Sequence, residues 1–273
     1  MEIIYVKGDI LLIELFKKMK KSLHGNGCLF TFLKILRYPL NCIKRGRFNK
    51  EILNLSSNED RFTWIYRNNY WGSEESFSGT GSTLHYTENI RKELPLLFKE
   101  FSIKKIFDAP CGDFNWMRLL LPEVEIDYIG GDIVKPLIDE LNREHAANNI
   151  SFLHFDLIKQ IPPRVDLMIC RDCLFHFSYE NTRSVLENFL KSETKYLLTT
   201  THVNKINGFI NSDISTGDFR LMDLFSSPYN FPRNPLHAIE DWLPPDPERQ
   251  MCLWSREQIA VALSSFQIQE PPQ

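Results

Sequence analysis

The sequence predicts an α/β domain in which a mostly parallel sheet carries helices on both of its faces. The first observation is the stretch Ile103–Val134, where an apolar run, a tight turn, a helical segment and a second apolar run follow one another. The second is a set of three acids, Asp108, Asp132 and Asp156, which end successive apolar runs at intervals of 24 residues. Ligands of such sheets bind beyond the carboxyl ends of the strands. We therefore expect the three carboxylates to lie together at one edge of the sheet.

The other elements follow from apolar periodicity and from turn residues. The polar, glycine-rich segment 70–83 carries two aromatic side chains, which favours a lid over a ligand, with an ordered surface loop as the alternative. Helices are predicted at 52–69, 87–101, 115–121, 135–148, 181–191 and 256–263, and strands at 106–108, 128–132, 150–157, 165–170, 196–201, 250–254 and 265–269.

Composition is that of an ordinary globular protein, with 273 residues, 43% apolar and 25% charged. Residues 1–50 have a net charge of +8, and the remaining 223 residues have a net charge of -11. We predict a basic amphipathic extension at 1–50, which lies on an anionic membrane surface or docks on the domain, and one domain at 51–273. Because a nucleic-acid enzyme concentrates basic residues around its active site, no nucleic-acid partner is expected.

Six scattered cysteines show no disulfide framework of a secreted protein. Cys170-x-x-Cys173 lacks the second pair of a zinc site, so we expect neither metal nor redox chemistry there. We also expect no cleavable signal peptide, and no run of 18 apolar residues is present. The chain is predicted to be cytoplasmic, and membrane contact of residues 1–50 would make it peripheral at the inner membrane face.

The turn after the first strand reads Asp-Ala-Pro-Cys-Gly-Asp-Phe-Asn-Trp from Asp108 to Trp116. It resembles motif I of class I S-adenosylmethionine (SAM) dependent methyltransferases, of whose three glycines only Gly112 is kept. Pro110 has no N–H and cannot take a positive φ, so this loop needs a fixed shape of its own. This version is similar to the one in bacterial methyltransferases associated with glycan assembly. The resemblance implies a Rossmann-like sheet of seven strands and SAM as the cofactor.

The resemblance also implies which residues bind SAM. Asp132 stands where a carboxylate meets the ribose diol, and an acid at the place of Asp156 accepts a hydrogen bond from the adenine amino group. Segment 70–83 is expected to fold over the pocket and to donate to the methionine carboxylate. The full predicted set is Asp108, Pro110, Gly112, Asp113, Trp116, Asp132, Ile133, Asp156, Leu157, Arg171, Ser78, Gly79 and Ser82.

The fourth strand runs into Arg171–Phe177, the place of the substrate-facing motif in the resembled family. The Asn/Asp-Pro-Pro-Tyr/Phe motif of amino-directed enzymes is missing. Asp172 and His176 are four residues apart, which one helical turn would place on the same side. Such a pair suits deprotonation of a hydroxyl, with His176 as base and Asp172 orienting it or acting itself, and His202 is a further candidate. The alternatives are an Asp172–Arg171 ion pair, a packing role for His176, and a divalent ion held by Asp172 and His176.

Segment 208–247 is too long for a plain connection, and we interpret it as an insertion that roofs the acceptor pocket. Its aromatic residues are expected to stack on sugar faces and its charged residues to bind hydroxyls, with a loop that has its own small core as the alternative. These residues are Phe219, Tyr229, Phe231, Trp242, Asp218, Arg220 and Asp241.

The predicted function is SAM-dependent O-methylation of a sugar hydroxyl of a bacterial surface glycan or of its nucleotide- or lipid-linked precursor. The glycan part is implied by the resemblance together with the aromatic and acidic insertion. The alternatives are a small-molecule, lipid or protein acceptor, and a non-catalytic interaction module with this fold. A nicotinamide-dependent oxidoreductase is disfavoured because Pro110 and the lone Gly112 do not form a glycine-rich phosphate loop.

Overall fold

The computed structural model describes residues 52, 54–71, 73–205 and 209–266. The chain divides into two units, Met1–Asn54 and Leu55–Gln273. The predicted basic extension, with its membrane contact, lies outside the described residues, and the account below concerns the second unit.

The second unit is built on one seven-stranded sheet with the strand order β3-β2-β1-β4-β5-β7-β6. All neighbouring strands are parallel except at β7, which runs antiparallel to both β5 and β6. The predicted mostly parallel, seven-stranded sheet is therefore confirmed. The strands are β1 Lys105–Asp108, β2 Asp127–Asp132, β3 Ile150–His154, β4 Leu167–Cys170, β5 Tyr196–His202, β6 His237–Glu240 and β7 Arg249–Ser255. The helices are α1 Asn58–Arg67, α2 Glu88–Glu100, α3 Met117–Leu120, α4 Lys135–His145, α5 Tyr179–Lys191 and α6 Arg256–Ser265.

Helices cover both faces because the central strands are apolar on both faces. In β1, Ile106 belongs to one buried cluster with α2, α3 and α4, and Phe107 belongs to a second cluster with α5 and α6. Successive residues of a strand point to opposite faces, so β4 divides its residues between the two clusters in the same way. Ser178 and Ser255 cap α5 and α6 by accepting from backbone N–H groups, which fixes where these helices begin.

The predicted strand Gln250–Trp254 is confirmed, but it is the seventh strand, β7, rather than the sixth. Of the strand predicted at 265–269, only residues 265 and 266 are described; Ser265 ends α6 and Phe266 caps it, so neither begins a strand. The sixth strand is His237–Glu240, inside the segment predicted to be an insertion. It is an edge strand of four residues with only Ile239 buried, so it carries too weak an apolar pattern to be recognised. No helix in the described ranges is long and apolar enough to cross a membrane.

Candidate active site

A cavity of about 300 Å3 lies at the carboxyl ends of β1, β2 and β4. The short, buried parallel strands bring their last residues to one edge of the sheet, as the spacing of the acids predicted. The segment between Trp71 and Ser82 supplies part of the wall. Every predicted site residue except Asp113 and His202 lines this cavity: Ser78, Gly79, Ser82, Asp108, Pro110, Gly112, Trp116, Asp132, Ile133, Asp156, Leu157, Arg171, Asp172 and His176.

Asp108 and Asp132 end β1 and β2, and both carboxylates are buried. Asp108 accepts a hydrogen bond of 2.9 Å from the hydroxyl of Tyr128. Burial raises the pKa of Asp108 to about 7, against the opposing effect of the Tyr128 hydrogen bond and the Arg171 charge. Burial also raises the pKa of Asp132, although Val134 N and Gly112 N donate to its carboxylate at 3.0 and 3.1 Å. These two acids are held in a desolvated place without an ion-pair partner among the described residues.

Asp156 lies two residues beyond β3, which ends earlier than predicted, at His154. Its carboxylate accepts from Ile158 N at 2.9 Å and from the Lys159 ammonium at 3.2 Å. The Ile158 bond is the local turn bond that an aspartate commonly forms after a strand. Asp156 therefore forms a turn and also lines the cavity.

In the loop after β1, some residues line the cavity and others contact segment 70–83. Pro110 and Gly112 line the cavity, and Gly112 has φ +54, a conformation that glycine tolerates best. Asp113 was predicted to bind cofactor, but it does not line the cavity. Its carboxylate instead accepts from Ser76 Oγ at 3.0 Å and from Phe77 N at 2.8 Å. Asp113 thus turns away from the cavity because three consecutive residues of segment 70–83 supply it with donors.

Several of the donors predicted in that segment already form hydrogen bonds with other groups of the protein. Ser78 Oγ donates to Asp113 at 3.1 Å and Ser78 N donates to Ser76 Oγ at 3.2 Å. Gly79 N and Ser82 N also donate to backbone carbonyls within the segment. Ser78, Gly79 and Ser82 therefore form the wall of the cavity, but the expected donation by Ser78 and by the Gly79 amide is not available in this arrangement.

Arg171 is buried in a bidentate pair with Asp241, through Nε at 2.8 Å and Nη2 at 2.9 Å. Nη2 also donates to the Gly81 carbonyl at 2.8 Å. Burial lowers the pKa of Arg171, but Asp241 and Asp172 outweigh this effect and raise it above its ordinary value. The guanidinium thus stays charged, and its main partner is Asp241 rather than Asp172.

Asp172 is paired with Arg249, whose Nη2 donates to Oδ2 at 2.8 Å. Thr200 Oγ1 donates to the other carboxylate oxygen at 3.3 Å and accepts from Asp172 N at 2.9 Å. Burial would raise the pKa of Asp172, but Arg171 and Arg249 outweigh it and hold the pKa below its usual value. Asp172 has φ +50, so the helical turn that was expected to align it with His176 does not form.

His176 ends a short 3-10 helix, Leu174–His176, and lines the cavity. Nδ1 lies 2.8 Å from the Asp218 carbonyl oxygen. A carbonyl only accepts, so Nδ1 carries the proton and Nε2 of the neutral ring keeps its lone pair. Burial lowers the pKa of His176, which keeps the ring neutral at neutral pH. The orienting group is therefore the Asp218 backbone, not the Asp172 carboxylate.

His202 was predicted as a further catalytic candidate, and the structure places it outside the cavity. It is buried at the end of β5, where Met222 N donates to its Nδ1 at 3.1 Å. Burial lowers its pKa to about 4, with a contribution from Arg249. His202 is a packing histidine with a backbone partner.

Among the described residues 209–247 of the segment predicted to roof the acceptor pocket, only Phe219 and Asp246 line the cavity. Tyr229 and Phe231 are buried in the apolar core instead, because the segment folds back against α6 and β7. Arg220 is also buried, between the rings of Tyr179 and Tyr229. Of the seven residues named for sugar stacking and hydroxyl binding, Phe219 alone lines the cavity, so sugar stacking stays a prediction for that ring.

Sequence reasoning did not single out Arg249 or Asp246, and it did not foresee that Asp241 pairs with Arg171. Arg249 begins β7, and Asp246 lies in the turn before it. The sequence around these two residues contains no motif that distinguishes them from other charged residues. They can be recognised only in the folded structure, where both line the cavity and Arg249 is paired with Asp172. No group of three His, Cys, Asp or Glu side chains in the described part of the chain is arranged to hold a metal ion.

Comparison with known proteins shows the fold of this chain. No protein-family model matches the sequence, and no curated protein matches it. A SAM-dependent methyltransferase from Leishmania major is 13% identical with a TM-score of 0.55, covering 75% of this chain and 89% of that one. PigF, solved with S-adenosylhomocysteine (SAH), is 13% identical with a TM-score of 0.50, covering 71% and 62%.

A third solved structure is the magnesium protoporphyrin IX methyltransferase from Synechocystis with bound SAH. It is 14% identical with a TM-score of 0.49, covering 79% of this chain and 99% of that one. The first two likenesses show that this chain has the fold of class I SAM-dependent methyltransferases.

Proposed function

We propose that this chain is a SAM-dependent methyltransferase that transfers the methyl group to a hydroxyl oxygen. The observation that carries the proposal is the convergence of Asp108, Asp132 and Asp156 on one cavity that also contains His176. Three strand-end acids suit a nucleoside with an amino acid tail, and a neutral histidine suits removal of a hydroxyl proton.

The residues of the cavity fit SAM in their chemistry. Asp132 would accept from the ribose hydroxyls and Asp156 from the adenine amino group, between the apolar side chains of Ile133 and Leu157. The desolvated Asp108 would face the ammonium end of the molecule. SAM supplies a methyl group that its sulfonium has already activated, so the protein mainly has to align the acceptor and accept a proton.

His176 is the proposed base, because Nδ1 is held by Asp218 and Nε2 keeps a lone pair. Asp172 is the less suitable base, since a carboxylate with a lowered pKa binds protons weakly. We assign Asp172 the role of accepting a hydrogen bond from the acceptor while Arg249 fixes it in place.

The proposed acceptor is a sugar hydroxyl of a bacterial surface glycan or its nucleotide- or lipid-linked precursor. The resemblance of the Asp108–Trp116 loop supports this choice. So do the rings of Trp71 and Phe219, which lie 5.6 and 5.9 Å from the ring of His176 and suit the faces of a sugar. A small molecule, a lipid or a protein as acceptor is an outcome that the acceptor screen below distinguishes.

The cofactor is tested by calorimetric titration of SAM and SAH into the wild type, Asp132→Ala and Asp127→Ala. Asp127 and Asp132 stand at opposite ends of β2, so Asp127→Ala is a matched control that removes an exposed acid. Loss of hydrogen bonds to a charged group predicts a dissociation constant that rises about 10- to 100-fold in Asp132→Ala alone. Binding of NADH without SAM or SAH would refute the assignment.

The acceptor is tested by incubating the wild type with labelled SAM and sugar nucleotides, lipid-linked sugars, phenols or peptides. Methyl transfer to a sugar oxygen, located by mass spectrometry, is the expected result. Transfer to a nitrogen, or to a non-sugar acceptor only, would contradict the hydroxyl or the glycan part of the proposal respectively. SAM binding without any transfer would favour the non-catalytic module.

A further inference from the structure

The cover segment, defined here as residues 73–82, forms one wall of the cavity through Phe77, Ser78, Gly79, Thr80, Gly81 and Ser82. It packs few apolar atoms against the domain. Its one large apolar side chain, Phe77, is 51% exposed and contacts the Tyr66 ring at 5.4 Å. Polar contacts therefore hold this segment in place.

Asp113 is the main hydrogen-bond partner of Ser76, Phe77 and Ser78 in this segment. Its carboxylate accepts from Ser76 Oγ at 3.0 Å, Phe77 N at 2.8 Å and Ser78 Oγ at 3.1 Å. The backbone N–H of Asp113 donates to Ser78 Oγ at 2.9 Å. One residue beside the cavity thus forms four hydrogen bonds with three consecutive residues of the cover segment.

Gly112 lets this contact form. A Cβ on Gly112 would lie 2.1 Å from Ser78 Oγ, so Ser78 occupies the space of a missing side chain. The cover segment is therefore seated directly on the turn that follows β1.

Two further anchors hold the segment at both sides of Ser78. Asn115 Nδ2 donates to Glu75 Oε1 at 2.9 Å and to the Ser82 carbonyl at 3.1 Å. Arg171 Nη2 donates to the Gly81 carbonyl at 2.8 Å. Between these two anchored parts, the hydrogen bonds from Ser76, Phe77 and Ser78 to the domain go to Asp113.

We propose that Asp113 is a positioning residue: its carboxylate holds the cover segment over the cavity and so sets how long a bound nucleoside ligand stays. The role of ligand residence rests on the proposed function, whereas the anchoring itself does not. Loops that close over ligands are drawn from regions of low local stability, and a segment held mainly by polar contacts has this property.

The test compares wild type, Asp113→Ala, Asp113→Asn and the exposed control Asp127→Ala by amide hydrogen exchange and by SAH dissociation. Asp113→Ala is expected to speed exchange of the amides at 76–79 at least tenfold, with β1 and β4 unchanged. The SAH dissociation constant is expected to rise about 10- to 100-fold, mostly through faster dissociation. Asp113→Asn keeps part of the network and should give a smaller effect of the same kind, and Asp127→Ala none.

Unchanged exchange at 76–79 in Asp113→Ala would overturn the anchoring. Faster exchange with an SAH dissociation constant within twofold of wild type would overturn the positioning role. If amide exchange becomes faster throughout Asp113→Ala, that variant is destabilised as a whole. The exchange rates and SAH affinity of Asp113→Asn, whose side chain differs from aspartate only by its amide group, then decide between the outcomes. Failure of the wild type to bind SAH would refute the proposed function and leave the exchange result to decide the anchoring.

Discussion

Two aspartates near the carboxyl ends of neighbouring strands have pKa values that are shifted in opposite directions. Asp108 ends β1 and Asp172 follows β4, its direct neighbour in the sheet. Burial raises the pKa of Asp108 to about 7, whereas two arginines hold the pKa of Asp172 below its usual value in spite of burial. Two aspartates that line the same cavity therefore have pKa values shifted in opposite directions.

The difference comes from the partners that the rest of the chain supplies. On the side of β1 and β2, the acids have hydroxyl and amide donors, which leave the negative charge uncompensated. Beyond β4, Arg171 and Arg249 are paired with Asp241 and Asp172. The carboxylates of the first side thus have no ion-pair partner among the described residues, whereas those of the second side do. Under the proposed function, the first side receives the ligand and His176 accepts the proton. Four changes test this comparison.

The largest effect is expected for His176→Gln, since glutamine keeps a donor for the Asp218 carbonyl but removes the base. General-base catalysis predicts a fall in kcat of about 10²- to 10⁴-fold, with SAH affinity unchanged. The measurement is methyl transfer together with calorimetric SAH titration. His202→Gln is the matched control, because that histidine lies outside the cavity, and its transfer rate per folded molecule should stay near wild type. Equal losses in both variants would refute the distinction between the two histidines.

Breaking the buried ion pair comes next. Asp241→Ala leaves the Arg171 charge buried without its bidentate partner, which is expected to lower the free energy of unfolding by about 3–5 kcal/mol. Urea denaturation measures this loss. Replacing both residues, with Arg171→Met and Asp241→Leu, should recover most of it, whereas Glu88→Ala in the exposed Lys92–Glu88 pair should leave the free energy of unfolding nearly unchanged. A loss below about 1 kcal/mol in Asp241→Ala would show that Arg171 finds another partner.

The pKa of Asp108 predicts a pH dependence of stability. Because this pKa is raised from 3.8 to about 7 on folding, the native state holds a proton that the unfolded state has released, and stability falls as pH rises through that window. The part due to Asp108 is at most about 4 kcal/mol.

Urea denaturation at pH 5 and pH 8 should therefore show a smaller difference in Asp108→Asn than in the wild type. Asp172→Asn should leave the difference unchanged, because the lowered pKa of Asp172 confines its effect to more acidic pH. Identical pH dependence in Asp108→Asn and the wild type would mean that Asp108 is ionised in the native state.

The smallest effect is expected for Gly112→Ala on the β1 side. A positive φ at a residue with Cβ costs about 1–3 kcal/mol, and the added Cβ also meets Ser78 Oγ. Thermal denaturation measures the loss, and Ser78→Gly in the same chain should recover the part due to the contact with Ser78. No recovery would assign the whole loss to the backbone conformation at Gly112.

The β1 side was predictable because its features are local in the chain. The strand, turn, helix and strand of Ile103–Val134 and the acids at the strand ends follow from periodicity and spacing, and the structure brings those acids to one cavity. Sequence reasoning did not foresee the partners of Asp113, which lie 35 to 37 residues earlier in the chain. It also did not foresee the weakly apolar edge strand β6.

The sequence by itself determined the class of fold, the edge of the sheet where the cavity lies, and the three acids at that edge. Only the tertiary structure decided that Asp241 and Arg249, 70 and 77 residues away from their partners, would fix the charges of Arg171 and Asp172. It also decided that His176, held by Asp218 across 42 residues, faces the cavity whereas His202 does not. The physical reason is that hydrophobic periodicity acts over a few neighbouring residues, whereas an ion pair or a pKa depends on which distant groups folding brings within a few ångströms.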